Sequence, residues 1–236
     1  MPIDKVLKNF DEAVADISDG AVVALSCFGG PLHAPQNLIR AVARNGPKDL
    51  TVIAHAVGVA EGQIVFGWPL HVDHGIWIER EMVRKLIAGF PFLPTVETPP
   101  KREWKAGRLE VVNLPHGTLQ VKLWAAGAGV GGVYVRTGVG TVVEEGKEKR
   151  LFDGEEYILE EPFKIDFSLV RAYKADRLGN LIYDGCQRAT AVMVARAGKI
   201  TIAEVDEIVE VGELNPEHII TPGIYVHRIL EVPKEG

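Results

Sequence analysis

Two short apolar runs constrain this chain more than anything else in it. Val22-Val23-Ala24-Leu25 and Leu50 to Ala54 show almost no polar alternation. Strands buried on both faces read this way. Between them lie a glycine-bearing turn, Phe28-Gly29-Gly30-Pro31, and a helical stretch from about Pro35 to Arg44. Strand, glycine turn, helix and strand in that order argue for a βαβ unit and a parallel sheet. Ahead of it, Val6, Leu7, Phe10, Ala13, Val14 and Ile17 recur at helical spacing, so residues 4–17 are expected to form an amphipathic helix ended by Asp19-Gly20.

Further strands are expected at Val83–Ala88, Leu109–Leu114, Tyr157–Leu159, Phe167–Tyr173, Leu181–Tyr183, Ile200–Val205 and Ile224–Leu230. Asp176-Arg177-Leu178-Gly179-Asn180 makes a tight turn before Leu181. Helices are expected from Thr118, as cap, through Trp124 and over residues 189–197. Residues 60–106, rich in Gly, Pro and Trp, yield only the strand at Val83. The expected fold class is α/β, an open, mostly parallel sheet flanked by helices, in one domain over residues 1–236.

Composition narrows the function. A chain of 236 residues, 47% hydrophobic and 25% charged, can bury an ordinary globular core. A formal charge of −6 argues against a nucleic-acid partner, which would call for a basic patch. No apolar run reaches membrane-spanning length, and Met1-Pro2-Ile3-Asp4-Lys5 has no apolar signal region, so no membrane association is expected. Cys27 and Cys186 are far apart and read as free thiols of a cytoplasmic protein.

Residues 114–146 hold the densest signal. Leu114-Pro115-His116-Gly117-Thr118 is followed by seven glycines between 127 and 146. Val and Tyr sit among them, which excludes a flexible linker. Two tight turns around a short strand account for them locally. Backbone N–H groups brought close to an anion or a developing oxyanion are the functional reading.

Four segments in order make the chain resemble the A (alpha) subunit of the family I CoA-transferases, of the 3-oxoacid CoA-transferase type. They are Asp19-Gly20 through Pro35-Gln36-Asn37-Leu38-Ile39; Pro115-His116-Gly117-Thr118-Leu119 with Gly127-Ala128-Gly129-Val130; Thr137-Gly138-Val139-Gly140-Thr141 through Glu144-Glu145-Gly146-Lys147; and Glu160-Glu161-Pro162 through Ile224-Tyr225-Val226-His227-Arg228. The resemblance implies that family's open-sheet fold, an α2β2 heterotetramer and, as partner, a homologous CoA-transferase B (beta) subunit. It implies passage of CoA from an acyl-CoA to a free carboxylate through a glutamyl-CoA intermediate on the B subunit. No permanently bound cofactor is implied, since the coenzyme A thioester is the substrate. Glu145-Gly146 and Glu61-Gly62 are not the nucleophile, because the family's nucleophile motif is absent here.

The resemblance also implies a site. In the family the residue between Pro115 and Gly117 is a glutamine that donates to the thioester oxyanion. Here it is His116, whose ring N–H can serve the same end; an ordinary exposed turn histidine is the other reading. Phe28, Gly29, Gly30, His33, His55, Gly117, Gly127 and Gly129 are the expected substrate-binding positions. Several depart from the family: Ser26-Cys27-Phe28 replaces a Gly-Gly-Phe triplet, and His55-Ala56 replaces an asparagine pair. Cys27 is expected to be a small buried residue. An insertion around residues 66–78 adds Phe66, Trp68, His71, Asp73, His74 and Trp77. Its His and Asp residues resemble metal ligands, but no third His or Cys completes a set, so no metal is expected. One chain of a CoA-ester hydrolase and a non-catalytic CoA-ester or sugar-phosphate binding module are the alternatives.

Overall fold

A computed structural model of the chain describes residues 4–28, 33–61 and 72–233, together with the backbone of 64–65 and 68–69. In chain order its elements are α1 (Phe10–Ala13), β1 (Val22–Leu25), α2 (Gln36–Asn45), β2 (Leu50–Ala54), β3 (Ile64–Val65), β4 (Trp68–Pro69), α3 (Gly75–Glu79) and β5 (Val83–Ala88). Then follow α4 (Pro99–Lys105), β6 (Glu110–Asn113), α5 (His116–Ala128), β7 (Val133–Val135), β8 (Lys149–Phe152), β9 (Glu155–Glu160), β10 (Ile165–Asp176), β11 (Leu181–Ile182), α6 (Ala191–Ala197), β12 (Gly198–Val209) and β13 (Arg228–Glu231).

The main sheet runs β13-β12-β10-β1-β2-β5-β6, with β11 antiparallel on β10 and every other pair parallel. β1 and β2 run as expected from their apolar residues, and α2 crosses between them. Its buried face is Leu38, Ile39, Ala41, Val42 and Ala43. Helices lie on both faces, each over its own core cluster. α2 and α3 cover the face built on Val23, Leu25, Val52 and Leu86. α5 and α6 cover the face built on Ala24, Ile53, Val170 and Ala203. Both faces are therefore apolar, which is why the central strands lack polar alternation.

Several expectations need correction. The helix expected over 4–17 shrinks to Phe10–Ala13, because Val6 bridges Ile229 and the preceding residues run as an extended edge. The last strand begins at Arg228; Gly223–Tyr225 is a 3-10 turn. Thr118 is no cap: α5 starts at His116 after Pro115, and Thr118 is buried within its first turn. Segment 60–106 holds the β3–β4 pair, α3 and α4 besides the strand at Val83. Past the glycine cluster, β7, β9 and β8 form a separate antiparallel sheet. The Glu160 carboxylate is bonded by Lys122 at 2.8 Å and by Lys147, which ties that sheet to α5.

Candidate active site

The chain order of the sheet reverses at β1. From β1 it proceeds outward through β2, β5 and β6, then returns to β1's other side with β10, β12 and β13. In open parallel sheets the crevice beyond the strands' carboxyl ends, at such a reversal, is where ligands bind. The registers Ala24↔Ile53, Ile53↔Ile87 and Ala88↔Asn113 bring the ends of β1, β2, β5 and β6 to one edge. Phe28, His55, Gly89 and His116 follow those four ends in turn.

Three of them form an aromatic cluster. His55 and His116 stack with centroids 6.1 Å apart and planes 15° apart. Phe28 meets His116 edge to face at 5.4 Å. His116 and Gly117 are exposed, and Phe28 is 42% exposed, whereas His55 is 1% exposed beneath them. Neither ring nitrogen of His55 has a hydrogen-bond partner among the described residues. Burial, and then the neighbouring His116, push its pKa down to about 4, so it is neutral near pH 7. Gly89 closes the cluster from below: a Cβ there would stand 2.7 Å from Nδ1 of His116. Sequence reasoning missed Gly89, because its part depends on which ring the fold sets against it.

His116 opens α5 after the N-cap Pro115, with no side-chain cap. The first-turn N–H groups of a helix have no intrahelical acceptor and carry the positive end of its dipole. They and the exposed imidazole share one end of one helix, an arrangement suited to oxygen that gains negative charge.

His33, Gly127 and Gly129 are not part of this ring cluster. His33 is half-buried, lowered in pKa by burial, and feels the charges of Asp184 and Arg171. Arg171 bonds Glu204 at 3.0 Å and also Asp206. The buried Glu204 accepts the N–H of Leu38 at 2.9 Å in the first turn of α2. This network braces the reversal point, and the sequence reading assigned Glu204 nothing. Gly127 lies roughly 16 Å along α5 from His116 at helical rise. A Cβ on it would meet Arg196 Cβ and O at 2.8 Å, so it permits the approach of α5 to α6. Gly129 is the left-handed C-cap of α5 at φ 69°. Gly29 and Gly30, with Phe66 and His71 of the 66–78 segment, lie outside the described residues.

The other candidate nucleophiles are occupied or inert. Burial pushes the Cys27 thiol up to about 11, so it stays protonated. Glu61 is exposed and pairs with Arg40 at 3.1 Å; Glu145 is exposed. Among the described residues no three His, Cys, Asp or Glu side chains gather as metal ligands. The Asp73 carboxylate is occupied by backbone N–H groups of Val59, Ala60 and Gly75. Among them, too, no helix is long and apolar enough to cross a membrane.

Comparison with known proteins gives one consistent result. The sequence pattern of the family described as Coenzyme A transferase matches residues 7–232. The chain is 41% identical over 226 residues to the A subunit of a probable succinyl-CoA:3-ketoacid coenzyme A transferase of Bacillus subtilis, covering 96% of this chain and 89% of that one. It is 37% identical over 232 residues to the A subunit of a 3-oxoadipate CoA-transferase of Acinetobacter baylyi, covering 98% and 96%. An acyl-CoA transferase apoenzyme of Escherichia coli O157:H7 superposes with a TM-score of 0.83 at 21% identity, over 100% of this chain and 48% of that one. This chain thus spans about half the length of that structure, and the likeness there is one of fold.

Proposed function

The chain belongs to the coenzyme A transferase family, and from that premise we propose that it is the alpha subunit of an acyl-CoA:carboxylate CoA-transferase. The names of its relatives, A subunits of succinyl-CoA:3-ketoacid and 3-oxoadipate transferases, support the reaction class and, as partner, a homologous beta subunit. The proposed assembly is α2β2, and the proposed compartment is the cytoplasm. Coenzyme A enters as substrate thioester, and no resident cofactor is needed.

The observation that carries the reading is the exposed His116 imidazole at the N-terminus of α5, at the carboxyl-end edge of the parallel strands. A glutamate carboxylate supplied by the beta chain attacks the thioester carbonyl. The carbonyl oxygen takes the negative charge, and a ring N–H of His116 donates to it. Collapse expels CoA as thiolate and leaves an acyl-glutamyl anhydride. The thiolate then attacks the glutamyl carbonyl, releasing the acid and forming glutamyl-CoA. An incoming carboxylate reverses the sequence and leaves as the new thioester. Phe28 and Gly117 are the proposed substrate-facing neighbours of His116. His55 supports its ring from beneath, and His33 belongs to the adjoining edge.

The test is turnover by the co-purified alpha and beta chains, given an acyl-CoA with and without acetate or succinate. The expected result is acceptor-dependent CoA transfer by the complex and none by this chain alone. Equal thioester loss without acceptor would instead identify a hydrolase. Transfer at enzyme-like rates by the single chain would overturn the two-chain reading.

A further inference from the structure

Residues 55–60 leave β2 carrying His55 and join no regular element until Glu61 bridges Val72. Two buried groups nevertheless flank the segment, and one is bonded to it. On one side the Asp73 carboxylate, 7% exposed, accepts the N–H groups of Val59 and Ala60 at 2.9 Å. The same carboxylate accepts the N–H of Gly75 at 2.8 Å, at the first residue of α3. It thus joins the segment to a helix packed in the core. On the other side the buried Cys27 thiol lies beside the backbone of His55 and Ala56, near enough for their N–H groups to work against the rise in its pKa that burial causes.

The packing leaves little slack. A Cβ on Gly75 would lie 2.3 Å from the N of Ala60, and one on Gly58 would lie 3.0 Å from Nε2 of His74. His74 is itself fully buried, and burial lowers its pKa, so it fills space as a neutral ring. The chemistry at Asp73 is specific. Oδ1 accepts all three N–H groups, and Oδ2 shares that of Val59. A carboxylate presents only lone pairs to these donors, whereas an amide would turn its own N–H toward Val59.

We propose that Asp73 is a positioning residue of the CoA-transfer site. Its carboxylate holds the 55–60 segment, through which His55 supports the exposed ring of His116. The inference rests on the oxyanion role given to His116 above. It assigns Asp73, whose residue type suggests a metal ligand, to the placement of an imidazole more than one contact away.

The test is a double-mutant cycle on the alpha–beta complex. Asp73→Asn keeps the size and removes one acceptor edge. Displacement of a catalytic group by about 1 Å costs on the order of 100-fold, so kcat should fall roughly 10- to 100-fold with KM for the acyl-CoA little changed. In a His116→Ala background the same substitution should cost nothing further, because there is no ring left to place. An equal loss in both backgrounds would reduce Asp73 to a general structural residue and overturn the proposal. Wild-type kcat in a folded Asp73→Asn complex would overturn it as well. Should that variant fail to assemble, Asp73→Glu, which keeps the carboxylate but shifts it by one methylene, runs the same cycle: a loss seen only where His116 is present supports the proposal, and an equal loss in both backgrounds overturns it. Wild-type turnover in His116→Ala alone would instead sink the reading of the site itself, so the two failures are separable.

Discussion

Replacing Gly89 with alanine should slow the complex while leaving the fold intact. Gly89 follows β5, directly below the His116 ring. An added Cβ would stand 2.7 Å from Nδ1, 2.8 Å from Cε1 and 3.0 Å from Cγ of that ring, where ordinary contact begins at 3.4 Å. The ring must yield by several tenths of an ångström. Buried His55 stacks on it and Phe28 abuts it, so the open direction is outward, away from its support. A misplacement approaching 1 Å costs about 100-fold in rate, or about 2.7 kcal/mol of activation free energy. Stability should change far less. The struck atoms end an exposed side chain, and removing a glycine's freedom from the unfolded chain is worth about 0.4–1 kcal/mol in the other direction. The assay is kcat of the Gly89→Ala complex beside its urea midpoint. In a His116→Ala background the methyl group has nothing to strike, and no further loss is expected. Wild-type kcat in the variant, or an equal loss in both backgrounds, would refute the reasoning.

Two predictions concern pH and ion pairing. His55 is pushed down to about 4 in the folded chain, chiefly by burial, against an ordinary value near 6.5 when unfolded. Between those values the unfolded chain binds more protons, so stability is fully present above about pH 6.5 and falls as pH drops toward 4. This one residue contributes at most about 3.4 kcal/mol to the fall. Urea unfolding across that range should show it, and His55→Phe should flatten it; an unchanged slope would contradict the burial of a neutral ring there. At Glu160 burial works to raise the carboxyl, but Lys122 and Lys147 outweigh it and hold it below its ordinary value. Its stabilisation is therefore present above the unfolded value near 4.3 and lost as pH falls through the lower folded one. Glu160→Ala strands two mostly buried ammonium groups and should cost about 3–5 kcal/mol in urea at pH 7. A cost under about 1 kcal/mol would mean that the pair is solvated.

The legible parts of the fold were those buried on both sides. β1 and β2 announce themselves because helices on each face demand apolar residues almost throughout. β8, Lys149-Arg150-Leu151-Phe152, is exposed along its length and carries no such signature. The N-terminal periodicity misled because Leu7 and Phe10 pack on the core from an extended edge and a single turn as well as from a helix. α4 was hidden by Pro99-Pro100, which sit in its first turn, where proline is tolerated.

The site divides in the same way. The turn around His116 stands out as Pro-His-Gly before a helix, and the structure does put His116 at that helix's start. The stack on His55, the fit over Gly89 and the anchoring by Asp73 join residues far apart in sequence. Only the parallel order of β2, β5 and β6 brings them to one edge. Gly127 and Gly129 meet demands that the sequence does not separate: helix packing and helix capping ask for glycine as strongly as a phosphate or an oxyanion does.

The central claim is that His116 donates to the oxyanion of the thioester, and its most direct test is kcat of the alpha–beta complex carrying His116→Ala and His116→Gln. The expected loss for alanine is about 10²–10³, the worth of one oxyanion donor, with the fold unchanged. Glutamine, whose amide N–H can reach the same oxygen, should retain much of the activity. Wild-type turnover in His116→Ala would contradict the claim, leaving the oxyanion to backbone N–H groups.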